Sequence, residues 1–337
     1  MRQYQLQKAG DGYAPVITEQ PKPAPGPGQV LVKMKAWSLN YRDLLVAGGR
    51  YGDKTPGIVP LSDGAGEVEA VGEGVTRVKP GDRVAGCFFQ TWLGGRFEMK
   101  HHASAMGGDA PGVLAEYAVL SQDGVVKLPE HLSFDEGACL PCAGLTAWCA
   151  LVQRGGLQSG DTVLALGTGG VSVFALQFGV AHGARVIVTS SSDEKLARAK
   201  AMGAWETVNY KTTPDWDKAV WKLTDKRGAD HVVEVGGPGT LEKSLGCVAA
   251  GGHIALIGVL TGFGAPSGSI FPLVAKNARM NGIYVGPHDE FEKMNAYLAQ
   301  QSIRPVVDRV FAFEDAAAAY DYQRSGSHFG KIVIRIA

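Results

Sequence analysis

The residue types most able to do chemistry gather around one glycine loop. In GDTVLALGTGGVSVFALQFGVAHGARVIVTSSSDEK, a strand-like run from Thr162 to Leu166 enters Gly167-Thr168-Gly169-Gly170-Val171-Ser172, which opens an apolar helical stretch, and a second strand begins at Arg185. Gly167 permits a tight turn, Gly169 lets the backbone approach a pyrophosphate, and the first N–H groups of the helix face the anion. Ser172 stands at the third fingerprint position, where Gly or Ala is usual, and serine is still small enough for close helix packing. Strand, loop, helix and second strand in this order predict a dinucleotide site contacted by Gly167, Thr168, Gly169, Gly170 and Val171.

The end of the second strand decides which dinucleotide. An NAD site places an acidic residue about 20 positions beyond the first glycine, on the ribose 2′-hydroxyl. Here that neighbourhood reads Val188-Thr189-Ser190-Ser191-Ser192, with Lys195 one turn into the next helix. The hydroxyls of Ser190 and Ser191 and the charge of Lys195 suit a 2′-phosphate, so NADPH is expected ahead of NADH. Ser192 reads as a helix N-cap before Asp193 and Glu194, and Lys195 also fits an ordinary solvated lysine.

The elements that must carry this loop follow from the pattern along the chain. A length of 337 residues points to two domains. Residues 1–130 are rich in short strands broken by glycine: VLVKMKAWSL from Val30, GEVEAVGEGV from Gly66 and GDRVAG from Gly81. From Gly160 strand-like runs alternate with helical ones, which argues a parallel, doubly wound sheet. After Arg279 come a strand (MNGIYVG), a helical segment (DEFEKMNAYLAQQ) and a terminal β-α-β piece ending in GKIVIRI. The stretch from Cys87 to Glu116, with Phe88, Phe89, Trp92, Phe97 and Met99 among glycines, reads as a packed lid.

Composition narrows the partners. Lys+Arg and Asp+Glu are each 33, so there is no electrostatic footprint for nucleic acid or an anionic membrane. No run reaches the roughly 18 apolar residues of a membrane span, and the N-terminus has no apolar signal region. Five cysteines, an odd number in a long chain, do not make a disulfide framework and fit a reducing cytoplasm.

The motifs SLNYRDLLVAGGRYG, PLSDGAGEVEAVGEGVTRVKPGDRV, LPCAGLTAW, the glycine loop and GSHFGKIVI together resemble the medium-chain dehydrogenase/reductase family, in its zinc-free, quinone-oxidoreductase-like branch. The resemblance spans essentially the whole chain. It implies an α/β protein: a GroES-like, β-rich catalytic domain from residues 1–130 and 305–337, a Rossmann dinucleotide-binding domain over residues 131–304, and an active-site cleft between them. It also implies cofactor contacts. Thr146 would face the nicotinamide, Tyr210 would pack by the adenosine phosphate, and Gly236 would border the adenine. Ile257, Gly258 and Val259 would lie along the nicotinamide ribose, with Val285 and Lys331 near the carboxamide or the cleft edge. A homodimer would pair through MNGIYVG as an edge strand, and a tetramer remains open.

In zinc-dependent members of that family a Cys, a His and a Cys hold the catalytic metal, and these positions fall on Asn40, Ser62 and Cys142. Only Cys142 is a zinc-ligand type, Asp63 beside Ser62 reads as structural, and the structural-zinc lobe retains only Cys87, so no zinc is expected. His101 and His102 read as solvated loop histidines. Cys139-Leu140-Pro141-Cys142 and Cys149 read as small thiols in a packed helix, with Cys142 also a candidate reactive thiol.

Without a Lewis acid, hydride delivery to a simple ketone leaves an alkoxide with no metal to hold its charge. A quinone or an α,β-unsaturated carbonyl spreads that charge onto a distant oxygen, which one or two hydrogen-bond donors can stabilise. Asn40 supplies an amide N–H for the carbonyl or the nicotinamide ribose, and Tyr41, Tyr51 or water the final proton. Asn40 equally suits a turn-stabilising amide and Tyr41 a core aromatic, while Arg42 and Asp43 read as a structural ion pair or turn contacts. Three readings stand: an NADPH-dependent quinone or enone reductase, an alcohol dehydrogenase or ketone reductase of the same family, and a non-enzymatic NADPH-binding structural protein of the kind the lens zeta-crystallins exemplify.

Overall fold

Glycine-broken, β-branched runs in the first third and strictly alternating strand and helix patterns in the second produce two different sheets. The computed structural model describes residues 1–51 and 56–336; Gly52, within SLNYRDLLVAGGRYG, lies outside the described residues. The chain begins with β1 (Arg2–Ala9), β2 (Gly12–Glu19), β3 (Gln29–Ser38), α1 (Tyr41–Ala47), β4 (Asp63–Val71), β5 (Arg83–Gly86), β6 (Tyr117–Ser121) and β7 (Val125–Lys127). Two short helices, α2 (Phe134–Gly137) and α3 (Leu145–Trp148), lead into the alternating series. It comprises β8 (Thr162–Ala165), α4 (Gly170–Ala181), β9 (Arg185–Ser190), α5 (Asp193–Ala201), β10 (Glu206–Asn209), α6 (Trp216–Leu223), β11 (Ala229–Glu234), α7 (Pro238–Cys247), β12 (Val248–Leu256), α8 (Phe271–Ala275) and β13 (Arg279–Gly282). The chain closes with α9 (His288–Gln301), β14 (Val307–Ala312), α10 (Ala316–Ser325) and β15 (Lys331–Arg335).

These elements form two compact units, Met1–Leu145 with Val285–Ala337, and Thr146–Tyr284. In the first, among the described residues, a sheet runs β14-β15-β3-β4-β5-β7, with β6 also on β3. β15 is antiparallel to β3, with Val333 opposite Ser38, so the two chain ends share one sheet. Trp37, Met34, Leu61, Ile332 and Phe313 are buried in its core. The Tyr4 hydroxyl donates to Phe313 O at 2.6 Å, and the Trp37 indole N–H donates to Val113 O.

The unit boundaries fall at 145/146 and 284/285 rather than at the expected 130/131 and 304/305. The physical reason is packing at both joins. Arg335 pairs with Asp135 at 3.0 Å and Arg304 with Glu136 at 2.9 Å, tying α2 and the segment that follows α9 to the first unit. Along α9, Phe291, Met294 and Leu298 are buried and Asn295 Nδ2 donates to Lys127 O at 2.9 Å.

The segment from Cys87 to Glu116 is packed within the first unit. Phe88, Phe89 and Trp92 are buried, and Phe97 meets Trp92 edge-on at 4.9 Å. The solvated reading of His101 is overturned by this cluster: its ring is buried, stacks on Trp92 and has Nδ1 3.0 Å from Thr91 Oγ1. His102 is half-buried, edge-on to Phe97. A histidine has enough apolar ring surface to pack with aromatics once one nitrogen finds a polar partner.

The second unit is a parallel sheet in the order β10-β9-β8-β11-β12-β13 among the described residues. The order reverses between β8 and β11, which opens a crevice at the carboxyl ends of those strands. Helix α4 lies close over β9: a Cβ at Gly179 would come within 2.6 Å of a Val186 methyl. His231, His253 and Arg279 stand in register on β11, β12 and β13. Burial first, then His231 and Arg279, pushes the His253 imidazole down to about 4 from its ordinary 6.5.

The unfolded chain therefore takes up a proton that folded His253 refuses, and stability falls as pH drops from 6.5 towards 4. At roughly 1.4 kcal/mol per pH unit, the loss is on the order of 1–3 kcal/mol. Urea midpoints at pH 7 and 4.5 should fall less for His253→Leu than for the parent protein, and equal falls would remove His253 as the cause.

Candidate functional site

In the second unit the glycine loop has the shape its residues demand. Gly167 turns with φ +75°, a left-handed conformation, and its N–H reaches Thr189 Oγ1 at 3.2 Å. Gly169 is extended, caps α4, and would have nothing within 4 Å of an added Cβ. Thr168 is buried beside it, and Gly170 and Val171 start the helix. Ser172 is more than a small spacer, because its hydroxyl donates to Leu166 O at 2.6 Å and ties helix to strand. Open space before the first N–H groups of a twelve-residue helix, which have no partner within the helix, fits a pyrophosphate.

Most of the remaining second-unit candidates lie at or just beyond the carboxyl ends of the strands. Ser190 is buried at the end of β9, where its hydroxyl accepts Ser192 N–H at 3.3 Å, and Ser191 is half-buried. Ser192 caps α5 by accepting Lys195 N–H at 3.4 Å, as expected, with Lys195 half-buried. Tyr210 follows β10, its side chain exposed and its N–H on Ser190 O at 3.0 Å. Gly236 follows β11, and Ile257, Gly258 and Val259 follow β12. The Ile257 and Gly258 N–H groups donate to Glu234 O at 2.9 and 3.2 Å. Thr146 is buried on α3 at the start of this unit.

Sequence reasoning missed Glu234. Its buried carboxylate accepts Gly236 N–H at 2.8 Å, Gly237 N–H at 3.0 Å, the Thr240 hydroxyl at 2.6 Å and the Ser244 hydroxyl. It thereby shapes the turn that carries Gly236. The available signal was an acid ending a strand before two glycines and two later hydroxyls.

In the first unit a second polar cluster is buried. Asn40 caps α1, and its backbone N–H donates to Asp43 Oδ2 at 2.7 Å. The Lys331 ammonium, 3% exposed, donates to Asn40 Oδ1 and to Leu39 O, each at 2.6 Å. Lys331 is thus an interior cation engaged with Asn40. Asp63 accepts the Ser62 hydroxyl at 2.7 Å on one oxygen and Cys142 N–H at 3.1 Å on the other. Burial raises the Asp63 carboxyl, against the pull of Lys331, Ser62 and Asn40. Asp43 is likewise pushed up by burial, to about 6, with Arg42 opposing.

Backbone strain accompanies this cluster. Leu61, just before Ser62, has φ +68°, and a Cβ at Gly112 would come within 2.2 Å of its carbonyl oxygen. Val285 is buried in the first unit with φ +57°, a strained value for a β-branched residue. Tyr41 is exposed rather than a core aromatic. Tyr51 is half-buried under the Arg42 guanidinium at 4.7 Å, and Arg42 also covers Phe88 and donates to Met106 O at 2.5 Å. Arg42 and Asp43 therefore make turn and packing contacts of different kinds.

Cys139 and Cys149 are buried small thiols. Cys142, on the π-helical turn Leu140–Gly144, is half-buried, and burial together with the Asp63 carboxylate pushes its thiol up. That is the reverse of what a reactive thiol needs, so this candidate role is corrected. Nor do Asn40, Ser62 and Cys142 fit a zinc ion. The amide oxygen faces an ammonium that would repel the metal, the Ser62 hydroxyl is engaged with Asp63, and the thiol resists ionisation.

Two family models match the chain: an alcohol dehydrogenase GroES-like domain over residues 26–130 and a zinc-binding dehydrogenase over residues 170–300. A zinc-type alcohol dehydrogenase-like protein of Schizosaccharomyces pombe is 46% identical over 92% of this chain and 91% of its own. A quinone oxidoreductase of Pseudomonas aeruginosa is 34% identical over 88% of this chain and 87% of its own. Among solved structures, an NAD-dependent alcohol dehydrogenase superimposes with a TM-score of 0.89 at 34% identity, covering 100% of both chains.

Because the backbone of Gly169 suits any residue and a Cβ there meets nothing, Gly169→Val should leave thermal stability within about 0.5 kcal/mol. It should weaken NADPH binding at least ~10-fold by filling the space before the helix, the equivalent of about 1.4 kcal/mol. Fluorescence titration with NADPH checks this, and unchanged affinity would move the pyrophosphate elsewhere.

Proposed function

As the chain belongs to the medium-chain dehydrogenase/reductase family, we propose that this oxidoreductase uses NADPH, without zinc, to reduce a quinone or an α,β-unsaturated carbonyl compound. The observation that carries the reading is the Asn40–Lys331 pair standing where a metal ligand would be. A bound nicotinamide supplies the hydride. Gly167, Thr168, Gly169, Gly170 and Val171 hold the pyrophosphate, and Ser190, Ser191 and Lys195 meet the 2′-phosphate where no carboxylate stands to accept a ribose hydroxyl. Asn40 donates from Nδ2 to the substrate oxygen as negative charge collects there, and Tyr41, Tyr51 or water returns the proton.

The runner-up is ketone reduction or alcohol oxidation, favoured by the alcohol dehydrogenase names of several relatives; the name NAD-dependent on one solved neighbour keeps NADH as the alternative cofactor. A conjugated acceptor suits this cluster better, because its charge is delocalised and a neutral amide suffices to hold it.

For assembly, the reading is a homodimer or tetramer paired through β13, an edge strand of its sheet. Phe263, Ile270, Phe271 and Val274 are exposed in the connection before that strand, an apolar concentration that a second copy would cover. For location we propose the cytoplasm, on the odd number of cysteines in the sequence. No helix among the described residues is long and apolar enough to cross a membrane.

Two measurements test these statements. NADPH oxidation at 340 nm, with NADH controls, should proceed on a quinone or a linear enone and be insensitive to chelator, whereas zinc-dependent turnover of a saturated ketone alone would overturn the mechanism. In light scattering, the parent chain should weigh two or four protomers and Phe271→Glu/Val274→Glu should shift towards one; a parent monomer at micromolar concentration ends the assembly reading.

A further inference from the structure

A primary amide has two unlike ends. Its oxygen only accepts hydrogen bonds and its NH2 only donates them, so the groups around it decide which end faces which way. At Asn40 both neighbours select the same orientation. The Lys331 ammonium has donors and no acceptor, so it faces Oδ1, at 2.6 Å. The Asp63 carboxylate only accepts, and it lies on the amide side close enough for Asn40 to stabilise its charge. The amide dipole thus lies between a cation at its oxygen and an anion near its nitrogen.

The backbone leaves the amide little freedom. Asn40 N–H is held by Asp43, Leu39 O is held by the same Lys331 ammonium, and Leu39 N–H reaches Ile332 O at 3.2 Å. Asn40 is only 8% exposed, and apart from its pull on the Asp63 carboxylate Nδ2 has no hydrogen-bond partner of good geometry among the described residues, so at least one of its two N–H groups is left over. A buried donor left without a partner is costly and therefore rare. An ammonium on the amide oxygen also draws electron density from the nitrogen, which makes the remaining N–H a stronger donor.

We propose that Lys331 is a positioning residue: its ammonium locks the Asn40 amide with the NH2 end available and strengthens that NH2 as the donor to the oxygen of a carbonyl or quinone substrate. This rests on the reductase reading above for the identity of the oxygen, while the orientation of the amide stands on the cluster alone. The amide gives a hydrogen bond and keeps its protons. The substrate's net gain is one hydride and one proton, both from other groups, so Lys331 needs no change of protonation. Its effect should grow with the basicity of the oxyanion formed, being larger for an enone, whose enolate is the stronger base, than for a quinone, whose hydroquinone anion is a phenolate and less basic.

The test is a double-mutant cycle on the full-length protein with Asn40→Ala, Lys331→Met and both together, with NADPH affinity and circular dichroism as controls. Asn40→Ala should lower kcat ~100-fold, as loss of one oxyanion donor does, with little change in NADPH affinity. Lys331→Met should lower kcat at least ~10-fold, Lys331→Arg should restore most of it, and the double variant should be no slower than Asn40→Ala, because Lys331 acts through Asn40. Should Lys331→Met fail to fold, Asn40→Asp serves in its place: its carboxylate still accepts from the ammonium but has no N–H to offer, so kcat should fall while the fold persists.

Orientation is read separately from the Asn40 side-chain NH2 resonance in 15N-labelled protein, which should shift or broaden in Lys331→Met. Losses that simply multiply in the double variant, an Asn40→Asp enzyme of full activity, or an NH2 resonance indifferent to Lys331 would each overturn the proposal. If the parent turns over only a saturated ketone, the substrate reading fails and the same cycle on that ketone decides the role of Lys331. If the parent turns over nothing, the resonance decides the orientation by itself.

Discussion

The ammonium of Lys331 is the charge around which the polar interior of the first unit is arranged. A buried cation with donors alone must be surrounded by acceptors, and here they are Leu39 O and Asn40 Oδ1, with the Asp63 carboxylate within its field. That requirement brings the start of the last strand to the end of β3, which is where β15 pairs antiparallel with β3. It also makes two buried carboxylates tolerable. Asp63 and Asp43 are both raised by burial, and in both Lys331 pulls the other way. Asp63 has donors on each oxygen, Ser62 and Cys142. The strained Leu61 is held in place because Gly107 and Gly112 leave no side chain in its way.

The second unit solves a similar problem with an anion. Glu234 is buried at the end of β11 and surrounded by two backbone and two hydroxyl donors. Those donors come from the turn and from α7, so satisfying one carboxylate fixes the path of the chain beside the switch point between β8 and β11. On the other side of that point, Ser172 and Thr189 tie the glycine loop to its strands. The glycines at 167 and 169 then have different tasks: the first supplies a left-handed turn, the second leaves room for a ligand. In both units, polar groups inside the protein decide the backbone geometry that the surface residues display.

Much of this was legible in the residues. The glycine loop, the alternating strands and helices from Gly160, the N-cap at Ser192 and the pairing of both chain ends in one domain depend on local pattern or on motifs in a fixed order, and the structure has them all. Several readings failed because the deciding neighbour is chosen by the fold. The unit boundaries moved because α9 buries Phe291, Met294 and Leu298 and reaches Lys127 O through Asn295, while α2 pairs with Arg304 and Arg335; Cys142 lies against a carboxylate 79 positions earlier. His101 is buried by Thr91 and Trp92 of its own loop, whose closing the pattern of residues did not reveal.

By itself, then, the sequence determined the elements, the family resemblance and the loop that suits a dinucleotide, since turn chemistry and hydrophobic periodicity act over a few residues. Only the tertiary structure decided what the polar residues do. Lys331 and Asn40 are 291 positions apart, and Glu234 meets its donors only after α7 has docked. A side chain's charge is written in the sequence; the partner that orients it is chosen by burial, because only where water is excluded must every donor and acceptor find a protein partner.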